Sequence, residues 1–264
     1  MGLKKVEWFW VYGFPLAVVR LLLFYGWIAI IFYPTYLWHQ LRPLSMRQRI
    51  RMRRLCLRFG MWILGFRVRR SGMSVERANS LEGALFVCNH RSWSDPMLAL
   101  IFLDAIPVSK AEVRDYPVIG KGMEFAGILY LRRRVVASLK EVRHSIYEYL
   151  RKGGSILLFP EGTTYTGELT RAFKKGAFEE AARAGGKVCP MVIEYRDRHA
   201  NYWDVRPLWK QFVLQCGKWR NPCAMWIGEP LESEDAQLLR TSAKRIIDQK
   251  IREIHLHPDR FFPS

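Results

Sequence analysis

Two residues that could move a proton together, His90 and Asp95, stand five positions apart in the run Asn89-His90-Arg91-Ser92-Trp93-Ser94-Asp95. A carboxylate can fix one nitrogen of an imidazole while the other takes the proton of an attacking hydroxyl. The flanking residues say how the pair would be held. Residues 84–88 are uncharged and rich in β-branched and aromatic side chains, the pattern of a short buried strand. Pro96 and the apolar run 97–103 read as a helix, with Asp95 as its N-cap and Pro96 at its first position. The histidine then lies at the carboxyl end of a strand, where open α/β sheets tend to place their chemistry.

Spacing alone is weak evidence. Six histidines and eight aspartates in 264 residues give about 0.2 such pairs by chance. A second pair does exist, His199 and Asp204. The charged Arg196-Asp197-Arg198 precedes it and residues 203–208 alternate like a strand, so His199 is expected in a polar loop with no helix to frame it. Two other strand ends favour the first pair. Leu157-Leu158-Phe159-Pro160-Glu161-Gly162-Thr163-Thr164 leads from an apolar strand into a turn with an acid, a glycine and two hydroxyls, and the apolar run 127–131 leads into Arg132-Arg133-Arg134.

The ordered set resembles the glycerolipid acyltransferases of the bacterial 1-acylglycerol-3-phosphate acyltransferase type. The matching motifs are NHRSWSD at 89–95, GILYLRR at 127–133, FPEGT at 159–163 and Val188-Cys189-Pro190-Met191. Val108-Ser109-Lys110-Ala111-Glu112 and Pro117-Val118-Ile119-Gly120 match between the first two, and the resemblance covers residues 65–230. Thr164 stands where the family often has Arg, and Arg132 where Asp or Asn is common. These departures bear on the acceptor, not on the reaction.

The resemblance implies transfer of a fatty acyl chain from acyl-CoA or acyl-carrier-protein to the free hydroxyl of a lysophospholipid, foremost 1-acylglycerol-3-phosphate, giving phosphatidic acid. His90 is then the general base and Asp95 its orienting partner. Glu161, Gly162 and Thr163 bind the acceptor and organise its loop. Arg133, at the family's arginine position, and Lys110 meet the acceptor phosphate. Pro190 shapes a strand end near the acyl chain. No nucleophilic serine or cysteine is needed, and no metal or redox cofactor is implied. Another lyso-lipid, such as a lyso-amino lipid or lysophosphatidylcholine, remains an alternative acceptor. A catalytically silent lipid-binding protein is the alternative from another class, and the intact His90, Asp95 and Glu161 argue against it.

Net charge and its distribution name the partner. The formal charge is +18, which calls for a negatively charged surface. Residues 8–41 carry one charge, Arg20, whereas residues 42–70 hold ten arginines and no acid. A basic run directly after an apolar one is the footprint of a segment beside anionic membrane lipids, and no nucleic-acid-binding pattern accompanies it. The five cysteines lack metal-ligand spacing, and a reducing compartment fits them.

Residues 21–41 are long enough to span a bilayer. No small-x-small cleavage site follows, so a removable signal is not expected. Arg20 would cost about 3 kcal/mol at mid-bilayer and less near an interface. Residues 44–65 read as a second helix with Arg47, Arg51, Arg54 and Arg58 on one stripe, lying at the headgroups. The resemblance likewise implies an amino-terminal two-helix membrane anchor, spanning or re-entrant, over residues 1–65, followed by a catalytic domain over 66–264. If the first helix spans, the arginines place the catalytic domain in the cytoplasm, on the bacterial inner membrane.

The remaining chain alternates strands with helices, which predicts an α/β fold with a largely parallel mixed sheet flanked by helices. Strands are expected at 66–69, 84–88, 127–131, 155–159 and 187–195, with 203–216 and 223–228 as further strands. Helices are expected at 113–126, 135–150, 171–184 and 233–257.

Overall fold

The computed structural model describes residues 9–110, 125, 127–131 and 136–263. Its seven strands are β1 (Phe66–Gly72), β2 (Ala84–Cys88), β3 (Ile106–Lys110), β4 (Leu129–Leu131), β5 (Ile156–Leu158), β6 (Lys187–Tyr195) and β7 (Asn221–Ile227). They form one sheet in the order β1-β7-β6-β2-β5-β3-β4. All neighbours are parallel except β6 and β7. The expected α/β fold with a largely parallel mixed sheet is present.

Strand β2 lies between β6 and β5, and all five of its residues are buried. A strand covered on both faces needs no polar alternation, which accounts for its unbroken apolar run. Phe86 and Cys88 belong to one core and Leu85 and Val87 to the other, as the two-residue repeat of a strand requires. The first core is closed by α1 (Phe14–Leu41), α2 (Met46–Ile63), α3 (Val75–Ser80) and α4 (Asp95–Leu100). The second is closed by α5 (Val136–Arg151), α6 (Gly176–Arg183) and α9 (Ala236–Leu256). Helix α9 presents Leu239, Ala243, Ile247, Ile251 and Ile254 along one buried stripe, and Asp235 caps it by accepting from the N–H groups of Gln237 and Leu238.

The apolar amino-terminal segment forms the long helix α1, which runs unbroken through Gly26 and Pro34. It doubles back onto α2, where Trp27 Nε1 donates to Cys56 O at 3.1 Å and Phe24 packs over Gly60. The pair lies along the rest of the protein. Arg20 donates to Cys216 O at 3.1 Å and Trp219 O at 2.9 Å, so its charge closes a helix end. Arg53 is buried and donates to Leu103 O and Ala105 O, and Arg54 pairs with Asp104 at 2.9 Å. The arginine stripe is therefore divided: Arg47, Arg51 and Arg58 are exposed, while Arg54 ties α2 to the α4–β3 connection.

Several elements differ from the sequence reading. Residues 203–216 do not form a strand. A turn held by Arg206 leads through Pro207 into helix α8 (Leu208–Cys216), whose spacing is set by the buried Gln211 and Gln215. The helix expected from 171 begins at Gly176, because Arg171 N and Lys174 N are bonded to Glu161 Oε2 and Pro160 O, which holds 171–174 against that turn. Two short helices, α3 and α7 (Arg198–Asn201), were too brief to show a period. A last short helix, α10 (Pro258–Phe261), follows α9. Pro190 lies within β6, where the antiparallel pairing passes from Leu231 to β7, and not at a strand end. The expected helix 113–126 and the arginine cluster 132–134 fall almost wholly outside the described residues.

Candidate active site

The turn between β2 and α4 is closed by one carboxylate. Asp95 Oδ2 accepts from Arg91 N at 2.6 Å and Ser92 N at 2.7 Å, and the same oxygen lies 2.8 Å from His90 Nδ1. Its other oxygen accepts from the Tyr195 hydroxyl at 2.5 Å. Asp95 is thus the first residue of α4, with Ser94 before it as the cap position, a shift of one from the sequence reading. Its side chain turns back into the loop because two backbone donors there hold it. Asp95 is fully buried, whereas the His90 side chain is 19% exposed. That gradient leaves the Nε2 edge of the ring as the part that can meet a substrate.

The ring itself is seated on Phe159, with centroids 4.4 Å apart. Phe159 follows β5, beside β2 in the sheet, so the 159–165 turn and the His90 turn emerge together. Glu161 joins them: Oε1 accepts from His90 N and Oε2 from Arg171 N, both at 2.9 Å. Burial pushes the Glu161 carboxyl up, against the opposing pull of those two N–H groups and the Arg91 charge. Gly162 adopts φ +75°, a left-handed conformation that a side chain would strain, and its N–H is bonded to Phe159 O. Thr163 is half-buried in the same turn. Tyr165 N donates to His90 O at 2.8 Å and closes the loop on the histidine. Lys110 ends β3 on the far side of β5, and Arg133 lies outside the described residues.

A buried ion pair underlies both turns, and sequence reasoning missed it. Arg91 Nε donates to Glu194 Oε1 at 2.9 Å with both side chains fully buried. The guanidinium also donates to the carbonyls of Tyr165, Gly167 and Glu168, so one arginine spans from the histidine turn to the glutamate loop. Glu194 Oε1 also accepts from Asn89 Nδ2, Tyr202 donates to Oε2, and His255 Nε2 stands 3.4 Å from Oε2. Burial works to raise the Glu194 carboxyl, but the Arg91 charge, the nearby His255 and the bond from Tyr202 outweigh it and hold the group below the ordinary range. Asn89 and Arg91, the two neighbours of His90, are thereby both anchored to Glu194. A charged residue inside the apolar run 187–195 was the available signal.

The second pair does not form. His199 is exposed on α7, and Asp204 accepts from Arg206 N and Nε at 2.8 and 2.9 Å.

Known acyltransferases resemble this chain. Residues 69–194 match the Acyltransferase family model. A lyso-ornithine lipid O-acyltransferase of Pseudomonas aeruginosa is 38% identical over 133 residues, 50% of this chain and 49% of that protein. A 1-acyl-sn-glycerol-3-phosphate acyltransferase of Neisseria gonorrhoeae is 26% identical over 65% of this chain and 69% of that protein. The chain thus spans about half the length of the first of these relatives and just over two thirds of the second. The crystal structure of the 1-acyl-sn-glycerophosphate acyltransferase of Thermotoga maritima shares the fold, with a TM-score of 0.67 and 21% identity over 90% of this chain and 95% of that one. The His90–Asp95 pair at the strand end and the glutamate turn beside it both lie within residues 69–194, the stretch that matches the Acyltransferase model.

Proposed function

We propose that the protein is a membrane-bound O-acyltransferase that moves a fatty acyl chain from acyl-CoA or acyl-carrier-protein to the hydroxyl of a lysophospholipid, with 1-acylglycerol-3-phosphate as acceptor and phosphatidic acid as product. The observation that carries this reading is the buried Asp95 carboxylate held 2.8 Å from Nδ1 of a partly exposed imidazole. Nε2 of His90 takes the proton as the acceptor oxygen attacks the thioester carbonyl. The tetrahedral intermediate then breaks its carbon–sulfur bond, and the imidazolium returns the proton to the leaving thiolate. Asp95 stabilises the imidazolium between the two steps. Glu161 acts through the loop it ties together, since both of its oxygens are engaged by backbone donors. Gly162 and Thr163 shape the acceptor side of that loop, and Lys110 and Arg133 supply charge for the acceptor phosphate.

Membrane attachment rests on α1. Residues 11–41 form a helix long and apolar enough to cross a bilayer. Its contacts with α2 and α8 along one side favour a helix lying in the interface over one that leaves the domain and spans. The arginines of residues 42–70 then hold the catalytic domain beside anionic lipid.

A second acceptor, a lyso-ornithine lipid, is favoured by the 38% identity to the Pseudomonas enzyme and by Thr164, which offers a hydroxyl where the family often carries a phosphate-binding cation. A panel of labelled acyl-CoA and acyl-carrier-protein donors against both acceptors decides. Transfer to 1-acylglycerol-3-phosphate supports the first reading and transfer to lyso-ornithine lipid alone the second. Failure with every acceptor overturns both.

A further inference from the structure

Helix α8 carries apolar side chains on both faces: Phe212, Val213 and Cys216 pack on the core, and Trp209 faces out. Its glutamines point into the protein: Gln211 Nε2 donates to Ala200 O at 2.8 Å, and Gln215 Nε2 donates to Ser92 Oγ at 2.9 Å and Asn201 O at 3.0 Å. Trp209 points out and is 62% exposed. A helix on a water-facing surface keeps its large apolar residues on the inward stripe, and Trp209 departs from that pattern. The flanks depart from it too, since Val205 is 99% exposed and Trp219 71% exposed. Three large apolar side chains facing out within fifteen residues mark an interaction surface rather than scattered exposure.

What covers this surface is indicated by its neighbours. Helix α8 packs on the start of α1, the helix apolar enough for a bilayer. Arg20 of α1 bonds the carbonyls at the carboxyl end of α8 and that of Trp219 itself. Gly217 meets α1 so closely that a Cβ there would stand 2.6 Å from Gly13 O. The outward side chains Val11 and Tyr12 of the amino-terminal segment are therefore continuous with the α8 patch. The composition is that of a membrane interface, with tryptophan at the headgroup level and cations among it: Lys210 lies against Trp209, and Arg67 lies over the exposed Trp62.

We infer that α8 and its flanks form a third membrane-contact element, seated in an anionic phospholipid interface beside the α1–α2 pair. The inference rests on the membrane-bound reading above and extends it to the catalytic domain. Its consequence is positional. The inner face of α8 holds the catalytic turn, through Gln215 to Ser92 and through Phe212 against Trp93, whose ring centroids are 4.1 Å apart. The element that touches lipid is thus the one that carries the His90 turn, which sets the base at the depth from which a lyso-lipid hydroxyl must arrive.

The test uses the full chain, phosphatidylglycerol–phosphatidylcholine vesicles and a Trp209→Ser/Trp219→Ser variant, with Trp209→Tyr/Trp219→Tyr as control. Wild type is expected to sediment with vesicles and the serine variant to partition at least fivefold more weakly, with the tyrosine variant restored to within twofold. Acyl transfer to acceptor in mixed micelles is expected to stay within twofold of wild type in the serine variant, while transfer to bilayer acceptor falls with partition. Equal partition of all three proteins overturns the inference and leaves the α1–α2 anchor standing. So does a patch-mediated dimer of the wild type that the serine variant abolishes, since a second copy would then cover the surface. A wild-type chain that ignores vesicles overturns the membrane reading and this inference together.

Discussion

His90 and His199 each precede an aspartate by five residues, yet only one pair meets. At 90–95 the aspartate accepts from the N–H groups of Arg91 and Ser92, which curls the turn and brings its oxygen to the imidazole. At 199–204 both aspartates nearby are occupied elsewhere. Asp197 caps α7 through Ala200 N, and Asp204 bonds Arg206. Behind the first turn stands a fully buried strand and in front of it a helix, while the second region follows exposed Arg196 and Arg198. A carboxylate and an imidazole become a catalytic unit when the backbone donors between them have no other acceptor.

Breaking the first pair should give the largest effect. His90→Ala is expected to lower acyl transfer by about 10²–10⁴-fold, with membrane binding retained. Asp95→Asn should come close to it, because an amide cannot stabilise the imidazolium. Single-turnover rates at saturating donor and acceptor check this. A folded His90→Ala protein within tenfold of wild type removes the general-base role.

The buried pair beneath the turn comes next. Glu194→Gln leaves the Arg91 guanidinium buried without its counter-charge, a loss of about 3–5 kcal/mol. Equilibrium unfolding of the two proteins in one detergent measures it. The same group sets a pH dependence. The folded chain holds the Glu194 carboxyl below its ordinary value of 4.5. A depressed acid contributes stability above its unfolded pKa and loses it as pH falls through the folded one. Wild-type stability should therefore drop on acidification from pH 4.5 downward, and Glu194→Gln should lack that part of the drop. Parallel acid-unfolding curves for the two proteins would show that the charge plays no such role.

Tyr195→Phe sharpens the contrast at smaller scale. It removes the hydroxyl that donates to Asp95 Oδ1 and meets Ser94 Oγ at 2.7 Å, while keeping the ring in the core. One hydrogen bond to a charged acceptor is worth about 1.5–3 kcal/mol. Stability should fall by that amount, with transfer reduced less than in Asp95→Asn. A loss equal to that of Asp95→Asn would mean that the tyrosine and not the backbone holds the carboxylate.

These residues divide sharply in how far the sequence announces them. His90, Asp95 and Glu161 follow short apolar strands whose composition marks them, and the strand ends bring them together as expected. Strand β6 and helix α9 are equally plain, because a long buried run or a buried stripe leaves a periodic trace. Helix α8 leaves the wrong trace. Its inward face mixes Gln211 and Gln215 with Phe212 and Cys216 while Trp209 faces outward, so no clean apolar period shows, and the alternation at 203–208 reads as a strand. Arg91 and Glu194 were hidden for another reason. They are 103 residues apart, and nothing local reveals that a buried arginine within one motif and a lone acid in an apolar strand neutralise each other.

The smallest effect should come from His199→Ala. The imidazole is exposed on a four-residue helix, the acid five residues on is engaged with Arg206, and the bonds that hold this region come from other atoms. Those atoms are the backbone carbonyl of His199, which accepts from Arg206 Nη1, and the side chain of Asp197, which caps the helix. Alanine keeps the first and does not touch the second. Surface substitutions of this kind change stability by within about 0.5 kcal/mol, and acyl transfer should stay within a fewfold of wild type. Measured beside His90→Ala at equal membrane loading, the two variants differ only in which copy of the same spacing is cut. An inactive His199→Ala with an active His90→Ala would place the chemistry on the wrong side of the sheet's end and would overturn the site as described.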